Sequence, residues 1–214
     1  MTRFAYLHGL GSGPDSHKGA TLAARARARG LPALRRPDLN VPSFARLSPI
    51  AALDALDAMG GAERTEERWC LVGSSFGGWL AALWASRRPD RVERLVLLCP
   101  AFAIGERWPR WLGEAAMEAW RREGARPIAD ARGTLVPVHY ALFEECSRLP
   151  QWPDVSQPTV IVHGRRDDVV PIESSRRYAD GRPNVRLVEV DDDHALASSL
   201  DVIEAVLWGP SSAV

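Results

Sequence analysis

The amino-acid sequence contains very little lysine and no long apolar segment. Lys18 is its only lysine, so arginine supplies almost all of the positive charge, and 27 basic residues balance 27 acidic ones to give a formal net charge of zero. A neutral chain is not drawn to nucleic acid or to anionic lipid, so we expect neither as a partner. No apolar run reaches about 18 residues, so no membrane span is expected either.

Cysteine is also scarce. The three cysteines, Cys70, Cys99 and Cys146, form an odd set without close spacing, which argues against a disulfide framework. Cys70 and Cys99 lie within apolar runs, where a thiol usually behaves as a small buried hydrophobic group. The sequence does not open with a basic segment followed by an apolar core, so no signal peptide is expected. These features favour a reducing cytoplasm as the location.

Outside residues 101–155, short apolar segments alternate with segments of helical spacing. The apolar segments lack polar alternation, which is typical of a parallel sheet covered on both faces. The sequence therefore predicts one α/β domain over residues 1–214, with a doubly wound, mostly parallel six-stranded sheet and helices on both faces. Gly60 and Gly61 are expected to end the second helix. The predicted strands are 3–8, 34–39, 69–73, 92–99, 158–163 and 185–190, and the predicted helices are 18–29, 49–59, 76–88, 174–178 and 195–208.

Residues 101–155 interrupt this alternation. Trp108, Trp111 and Trp120 share one face at helical spacing, which predicts a single amphipathic helix spanning all three. An insertion on the carboxyl side of a parallel sheet is typical of a helical lid over a site, so the tryptophans are candidate substrate contacts. The alternative is a structural excursion that packs the tryptophans away from any ligand.

The segment Gly73-Ser-Ser-Phe-Gly-Gly joins a predicted strand directly to a predicted helix. It contains the pattern G-x-S-x-G with Ser75 at the centre, and glycines flank such a serine because strand and helix approach closely at a sharp turn. A serine in this position projects above the sheet. Its hydroxyl is a weak nucleophile alone and needs a base. Ser75 is therefore the candidate nucleophile.

His194 and Asp167 are the candidate partners of that serine. Of five histidines, only His194 lies in the loop between the last predicted strand and the last helix. Asp167 follows the fifth strand and can turn towards this loop, whereas Asp168 is expected to point away. The order Ser, Asp, His is that of one common triad fold. Two alternatives for the acidic run before His194 are charge neutralisation and a metal loop, but the run lacks a closed ligand set, so no metal or cofactor is expected.

A glycine-rich loop follows the first predicted strand, in Tyr-Leu-His-Gly-Leu-Gly-Ser-Gly-Pro. A dinucleotide fingerprint needs a third glycine where Pro14 stands, and a P-loop needs a Gly-Lys-Ser/Thr end that is missing around Lys18. The loop therefore matches neither phosphate-binding motif. Lys18 and Ser16 are alternative contacts for an acidic substrate, although helix capping is the favoured role of Ser16.

Four motifs in chain order resemble those of the α/β-hydrolase superfamily in a small bacterial form: HGLGSGPDSHKG, GSSFGG, HGRRDDVVP and DDDHAL. The YLHG opening and its following serines and lysine are similar to those of the YqiA-like esterases, which act on short acyl esters and acyl thioesters. The resemblance implies that the backbone N–H groups of Leu10 and Phe76 form an oxyanion hole. It also implies a minimal six-stranded form, because the two antiparallel strands that usually open this fold have no room before His8.

The expected function is cleavage of carboxylic esters, or of acyl thioesters, with small or medium apolar acyl groups through an acyl-enzyme. The partner would be a small-molecule ester. The same triad also permits an amidase, a lactonase or a C–C hydrolase, and a non-catalytic ligand-binding protein is the alternative from another class. His8 and His163 are expected to be structural.

Overall fold

The computed structural model describes residues 2–59 and 67–209. The predicted helix end at Gly60 and Gly61 lies outside these residues. None of the helices in the described ranges is long and apolar enough to cross a membrane. The strands are β1 (Thr2–Leu7), β2 (Leu34–Arg35), β3 (Arg68–Ser74), β4 (Val92–Leu98), β5 (Ala125–Ala129), β6 (Leu135–His139), β7 (Thr159–Gly164) and β8 (Val185–Val190). The α-helices are α1 (His17–Ala28), α2 (Pro49–Met59), α3 (Phe76–Arg87), α4 (Ile104–Leu112), α5 (Glu114–Glu123), α6 (Ala141–Arg148), α7 (Ile172–Ala179) and α8 (Leu200–Trp208).

Six strands form one sheet in the order β2-β1-β3-β4-β7-β8, and all neighbouring pairs are parallel. β1 lies beside β3, with Phe4 opposite Cys70 and Leu7 opposite Gly73. The chain moves outwards from β1 to β2 and then crosses back to β3. The strand order therefore reverses between β1 and β3, and a crevice for a ligand is expected outside the carboxyl ends of these two strands. The predicted doubly wound sheet is confirmed.

Both faces of this sheet are buried. Leu71 and Leu97 join a core that includes α2, α3 and α7, whereas Val72 and Val96 join a second core that includes α1 and α8. Successive strand residues point to opposite faces, and here both faces meet helices. This explains why the strand sequences lack polar alternation.

Three elements differ from the sequence prediction. The single helix through the tryptophans is wrong, because the chain forms α4 and α5 with Gly113 between them at a φ of 79°. Glycine adopts this positive φ at little steric cost, and it ends the helix. The strand predicted over 34–39 contains only two residues. The last α-helix begins at Leu200, after a short 3-10 turn over Ala197–Ser199.

The antiparallel hairpin of β5 and β6 was not predicted. Each strand carries a proline at its centre, and Pro127 and Pro137 face each other across the hairpin. Proline lacks the N–H donor that a sheet interior requires, so its presence argues against a strand. A two-stranded ribbon consists only of edge strands, which is why it accommodates both prolines.

The insertion of residues 101–155 leaves the sheet after β4, returns at β7, and folds around its own aromatic cluster. Trp108 and Trp120 meet edge to face, with ring centroids 5.5 Å apart. The Trp120 Nε1–H donates to the Val138 carbonyl at 2.9 Å, and Phe143 packs against both rings. Trp120 is therefore part of the core of this insertion.

Candidate active site

Ser75 occupies the sharp turn between β3 and α3. Its backbone has a φ of 52° and a ψ of −115°, a strained conformation that non-glycine residues rarely adopt. Its N–H donates to the Leu98 carbonyl at 2.9 Å, and its carbonyl accepts the Ala101 N–H at 3.0 Å. These bonds hold the turn, and Ser75 is half-buried at the wall of a cavity.

Glycine is required on both sides of this turn. A Cβ on Gly73 would overlap the carbonyl oxygen of Gly77, and a Cβ on Gly77 would overlap the carbonyl oxygens of Leu7 and His8. Backbone atoms in a packed interior cannot move aside as a flexible side chain does. The two glycines therefore let α3 begin directly against the ends of β1 and β3.

Gly77→Ala is expected to destabilise the folded state by about 1–3 kcal/mol, the usual cost of overpacking, because the new methyl group meets the backbone of β1. Gly13→Ala is the matched control, since a Cβ there meets no described atom within 4 Å. Urea denaturation followed by tryptophan fluorescence measures both variants. Equal midpoints for the two variants would show that this turn is not tightly packed.

Asp167 and His194 lie in hydrogen-bonding contact. Asp167 Oδ2 is 2.7 Å from His194 Nδ1. The other carboxylate oxygen, Oδ1, accepts the N–H groups of Val169 at 2.9 Å and Val170 at 2.7 Å. These bonds fix the carboxylate, and His194 lines the same cavity as Ser75.

A second histidine supports the same carboxylate. His163 Nε2 lies 2.9 Å from the Val170 carbonyl and 3.2 Å from Asp167 Oδ2, and its Nδ1 lies 2.7 Å from the Ser175 hydroxyl. Burial raises the pKa of the Asp167 carboxyl, but the hydrogen bonds from His163, His194 and the Val170 amide outweigh burial and hold that pKa well below its usual range. Asp167 is therefore a carboxylate at neutral pH.

The aspartates before His194 brace its loop. Asp192 is buried, and it accepts the Asp193 N–H at 2.9 Å, the Ser198 N–H at 2.9 Å and the Ser199 hydroxyl at 2.8 Å. Burial raises the pKa of Asp192, but these hydrogen bonds outweigh it and lower that pKa overall. The imidazole of His194 bonds to Asp167 instead, so the alternative in which it neutralises the acidic run is not supported.

Asp192→Asn is expected to lower the stability at neutral pH and to weaken its pH dependence. The folded-state pKa of Asp192 lies below the unfolded value of about 4, so its bonds contribute stability above this value, and the contribution is lost as the pH falls further. Thermal unfolding at about pH 7 and about pH 3 measures the effect. Asp191→Asn, at an exposed neighbour, is the control. If the parent protein and Asp192→Asn lose the same stability between the two pH values, Asp192 does not have this role.

The loop after β1 approaches Ser75 from the other side. Leu10 and Phe76 line the cavity together with Ser75. Phe76 is the first residue of α3, where the backbone N–H has no partner within the helix. A Cβ on Gly9 would lie 3.5 Å from the Ser75 Cβ, which shows how closely this loop approaches the serine.

His8 holds this loop in place. Its Nδ1 lies 2.9 Å from the Gly9 carbonyl, and its Nε2 accepts the Leu39 N–H at 3.0 Å. Because Nε2 is an acceptor, it carries no proton, and the Asp38 carboxylate 3.4 Å away is not its ion-pair partner. His8 thus bonds to loop backbone near a strand end, as the sequence predicted.

An apolar cavity of about 330 Å³ opens beside Ser75. Its walls come from the loops after β1, β3, β4, β7 and β8, at the carboxyl edge of the sheet, and from the insertion of residues 101–155. Trp108 and Trp111 both line it, although Trp108 is 5% exposed and Trp111 is 74% exposed. Trp120 lies behind Trp108 and does not line the cavity, which corrects its expected place beside the substrate.

Cys99, His163 and Asp167 place three potential metal ligands within 4.8 Å of one another. Burial raises the pKa of the Cys99 thiol, and this thiol is hydrogen-bonded to the Asp167 side chain. His163 and Asp167 are also committed to the bonds described above. The hydrogen bonds among these three side chains therefore suit a role in holding the Asp167 carboxylate better than a role in binding a metal ion.

A parallel sheet, a serine on a strained strand-to-helix turn and an Asp–His pair beyond later strands define a hydrolase of the α/β-hydrolase superfamily. The family described as "Uncharacterised protein family (UPF0227)" matches residues 3–207, and the chain belongs to this family. The predicted resemblance is confirmed both for the α/β-hydrolase superfamily and for the YqiA-like family within it.

Known proteins support the same class. Pimeloyl-[acyl-carrier protein] methyl ester esterase of Nitrosomonas europaea is 25% identical over 173 residues, which cover 64% of this chain and 69% of that protein. The 2-hydroxymuconate semialdehyde hydrolase of Pseudomonas putida is 27% identical over 220 aligned residues, covering 83% and 75% of the two chains. A solved structure from Agrobacterium vitis is 21% identical and superposes with a TM-score of 0.81 over 96% of this chain and 86% of that chain, which shows the fold.

Most of the sequence-predicted residues meet at this cavity, and the exceptions are informative. Trp120 is buried in the insertion, away from the cavity, whereas Asp168 is exposed, in keeping with the expectation that it points away. Sequence reasoning missed Arg107, and it missed the hairpin residues Ile128 and Ala129, all of which line the cavity. The predicted residues that line it or contact His194 are Leu10, Ser75, Phe76, Trp108, Trp111, Asp167 and His194 itself.

Proposed function

We propose that this chain is a serine esterase that cleaves carboxylic esters, and acyl thioesters of the same acyl groups, through an acyl-enzyme on Ser75. One observation supports this more than any other. A hydrogen-bonded Asp167–His194 pair faces the same cavity as a serine held on a strained turn. A serine hydroxyl becomes a useful nucleophile only beside such an oriented base.

The reaction proceeds in two halves. His194 Nε2 takes the Ser75 proton while Oγ attacks the ester carbonyl carbon, and the N–H groups of Leu10 and Phe76 donate to the oxyanion that forms. His194 then protonates the leaving oxygen, the C–O bond breaks and the alcohol departs. Water repeats the attack with His194 as base, which releases the carboxylic acid and restores Ser75. Asp167 stays ionised and stabilises the imidazolium.

The substrate we propose carries a small or medium acyl chain with apolar methylenes. The cavity wall is mostly apolar, and a volume of about 330 Å³ suits a short chain and not a large polar group. Residues 101–155 act as a lid on a single domain over residues 1–214, because they supply one side of this wall. The relative from Nitrosomonas europaea, a methyl ester esterase, is in keeping with an ester substrate.

A series of 4-nitrophenyl esters from acetate to decanoate tests this function, because release of 4-nitrophenolate reports the first half-reaction directly. We expect hydrolysis with an optimum at a short or medium acyl chain, and its loss in His194→Gln. Tight binding of acyl compounds without turnover would instead favour a ligand-binding protein of this fold.

Trp111→Ala is expected to lower kcat/KM for hexanoate about 10-fold and to change acetate hydrolysis little, because a longer acyl chain loses more apolar contact when the indole is removed from the cavity wall. Its 74% exposure predicts little change in stability. Leu135→Ala is the matched control, since Leu135 is an exposed apolar residue of the same insertion that does not line the cavity. An unchanged chain-length preference in Trp111→Ala would show that the insertion does not select the substrate.

A further inference from the structure

Among the residues that the structure describes, one permanently charged side chain lines the apolar cavity beside Ser75. This residue is Arg107, which lies on α4 and is half-buried, and no carboxylate in the described parts of the chain lines the wall with it. One Nη of the guanidinium donates to the Val169 carbonyl. A guanidinium has five N–H donors, so this contact leaves most of them free for another partner.

The charge of Arg107 has no ion-pair partner among the residues that the structure describes. Burial lowers the pKa of its guanidinium, and only the more distant Asp167 acts in the opposite direction. The Asp167 oxygens are already taken by His194, His163 and backbone amides. Arg107 is half-buried, so its charge is only partly solvated, and an anionic group of a bound ligand would be stabilised beside it.

We propose that the substrate is an ester whose acyl chain ends in a carboxylate, so that methylenes fill the apolar wall and the anion pairs with Arg107. This inference rests on the proposed esterase function and names the chemical class of its substrate as half-esters of dicarboxylic acids. A planar guanidinium binds a carboxylate through two parallel N–H bonds, which also fixes the direction of the chain.

A pair of six-carbon substrates tests this assignment. 4-Nitrophenyl hexanoate and mono-4-nitrophenyl adipate differ only at the far end, where a methyl group replaces a carboxylate. We expect the parent protein to favour the adipate ester, and we expect Arg107→Gln to lower the adipate-to-hexanoate ratio of kcat/KM about 10-fold or more. Arg107→Lys should retain part of the preference. Arg110→Gln, an exposed arginine on the same helix, should leave the ratio unchanged.

The outcomes separate this inference from the esterase function. Hydrolysis of the hexanoate ester by a folded Arg107→Gln protein, with the ratio of the parent, would overturn the carboxylate assignment and leave the esterase intact. If the parent protein hydrolyses neither ester, both the esterase function and the carboxylate assignment are wrong. If Arg107→Gln does not fold, Arg107→Lys is compared with the parent instead. The assignment is overturned if both proteins show the same adipate-to-hexanoate ratio of kcat/KM and neither prefers the adipate ester.

An independent observation concerns Lys18, the only lysine among the 27 basic residues of the sequence. Lys18 lies on α1, and its Nζ donates to the carbonyl of His194 at 3.1 Å and to that of Ala195 at 2.7 Å. It therefore joins the start of the chain to the loop that carries the candidate base, 176 residues away.

The environment of Lys18 favours a compact cation. Burial lowers the pKa of its amine, while Asp167, Asp193 and Asp192 act in the opposite direction. A small ammonium group directs its donors to two adjacent carbonyls, whereas the flat fork of arginine suits carboxylates. This difference gives a physical reason for lysine at this position in a chain that otherwise uses arginine.

We propose that Lys18 is a positioning residue that holds the His194 backbone so that the imidazole reaches Ser75. Lys18→Met is expected to lower kcat about 10²-fold with little change in KM, because small displacements of a catalytic group have effects of this size. Lys18→Arg should restore part of kcat. Hydrogen–deuterium exchange over residues 193–199 should rise in Lys18→Met.

Arg25→Met is the matched control. Like Lys18, Arg25 is a basic residue of α1 that bonds to a distant element, but its partner is Glu204 of α8, at 3.1 Å, and not the His194 loop. We expect this variant to keep kcat and the exchange over 193–199. A folded Lys18→Met protein with kcat within about 3-fold of the parent and unchanged exchange would overturn the assignment. If Lys18→Met does not fold, full activity and unchanged exchange in Lys18→Arg overturn it.

Discussion

Ser75→Ala is expected to reduce ester hydrolysis by at least about 10⁴-fold, the scale seen when a triad nucleophile is removed. The methyl side chain of alanine cannot form the acyl-enzyme. The fold should be unaffected, because Ser75 is half-buried and its backbone bonds to Leu98 and Ala101 do not involve the hydroxyl. Initial rates with 4-nitrophenyl butyrate and a thermal unfolding curve measure the two quantities.

Ser74→Ala is the control for this experiment. Ser74 precedes Ser75 and is 5% exposed at the end of β3. Loss of its hydroxyl removes a contact with Tyr6 and is expected to change the rate less than about 10-fold. Comparable losses in the two variants would mean that the serine pair acts through packing and not through attack by Ser75.

Asp167→Asn is expected to lower kcat/KM by about 10³–10⁴-fold, whereas Asp168→Asn should change it less than about 3-fold. Asp167 lies 2.7 Å from the imidazole of His194 and fixes which ring nitrogen carries the proton. An asparagine amide at this place can donate to Nδ1 and so favour the wrong tautomer. Asp168 is exposed, one residue along the same loop.

Kinetics of both variants, with circular dichroism as the check on folding, distinguish the two aspartates. The two substitutions are identical in chemistry and adjacent in sequence, so they share any general effect of lost charge. Equal losses in both variants would show that the wrong acid has been assigned to His194.

The sequence identified the parts of the site that depend on local geometry. The spacing of Gly73, Ser75 and Gly77 marks a close approach of backbone, and the structure shows that a Cβ at either glycine would overlap carbonyl oxygens. The placement of Asp167 and His194 followed from topology, because the carboxyl ends of parallel strands share one edge of a sheet. Their functional roles remain proposals that the variants above test.

The insertion was harder to predict because its residue pattern favours elements other than those that form. Gly113 lies in the middle of a continuous helical pattern, and only its backbone conformation shows that it ends α4. Pro127 and Pro137 argue against the strands in which they lie. Arg107 lies on an amphipathic helix, where a cation is usually a solvent contact, so nothing in its sequence position indicated a cavity wall.

The central claim is that Ser75 is made reactive by His194 and Asp167. Labelling with a fluorophosphonate, followed by peptide mass spectrometry, tests it most directly, because this reagent reacts with activated serines and needs no knowledge of the substrate. We expect one adduct, on Ser75, with a labelling rate that falls at least about 10³-fold in His194→Gln. An adduct on another serine, or an equal rate in His194→Gln, would contradict it.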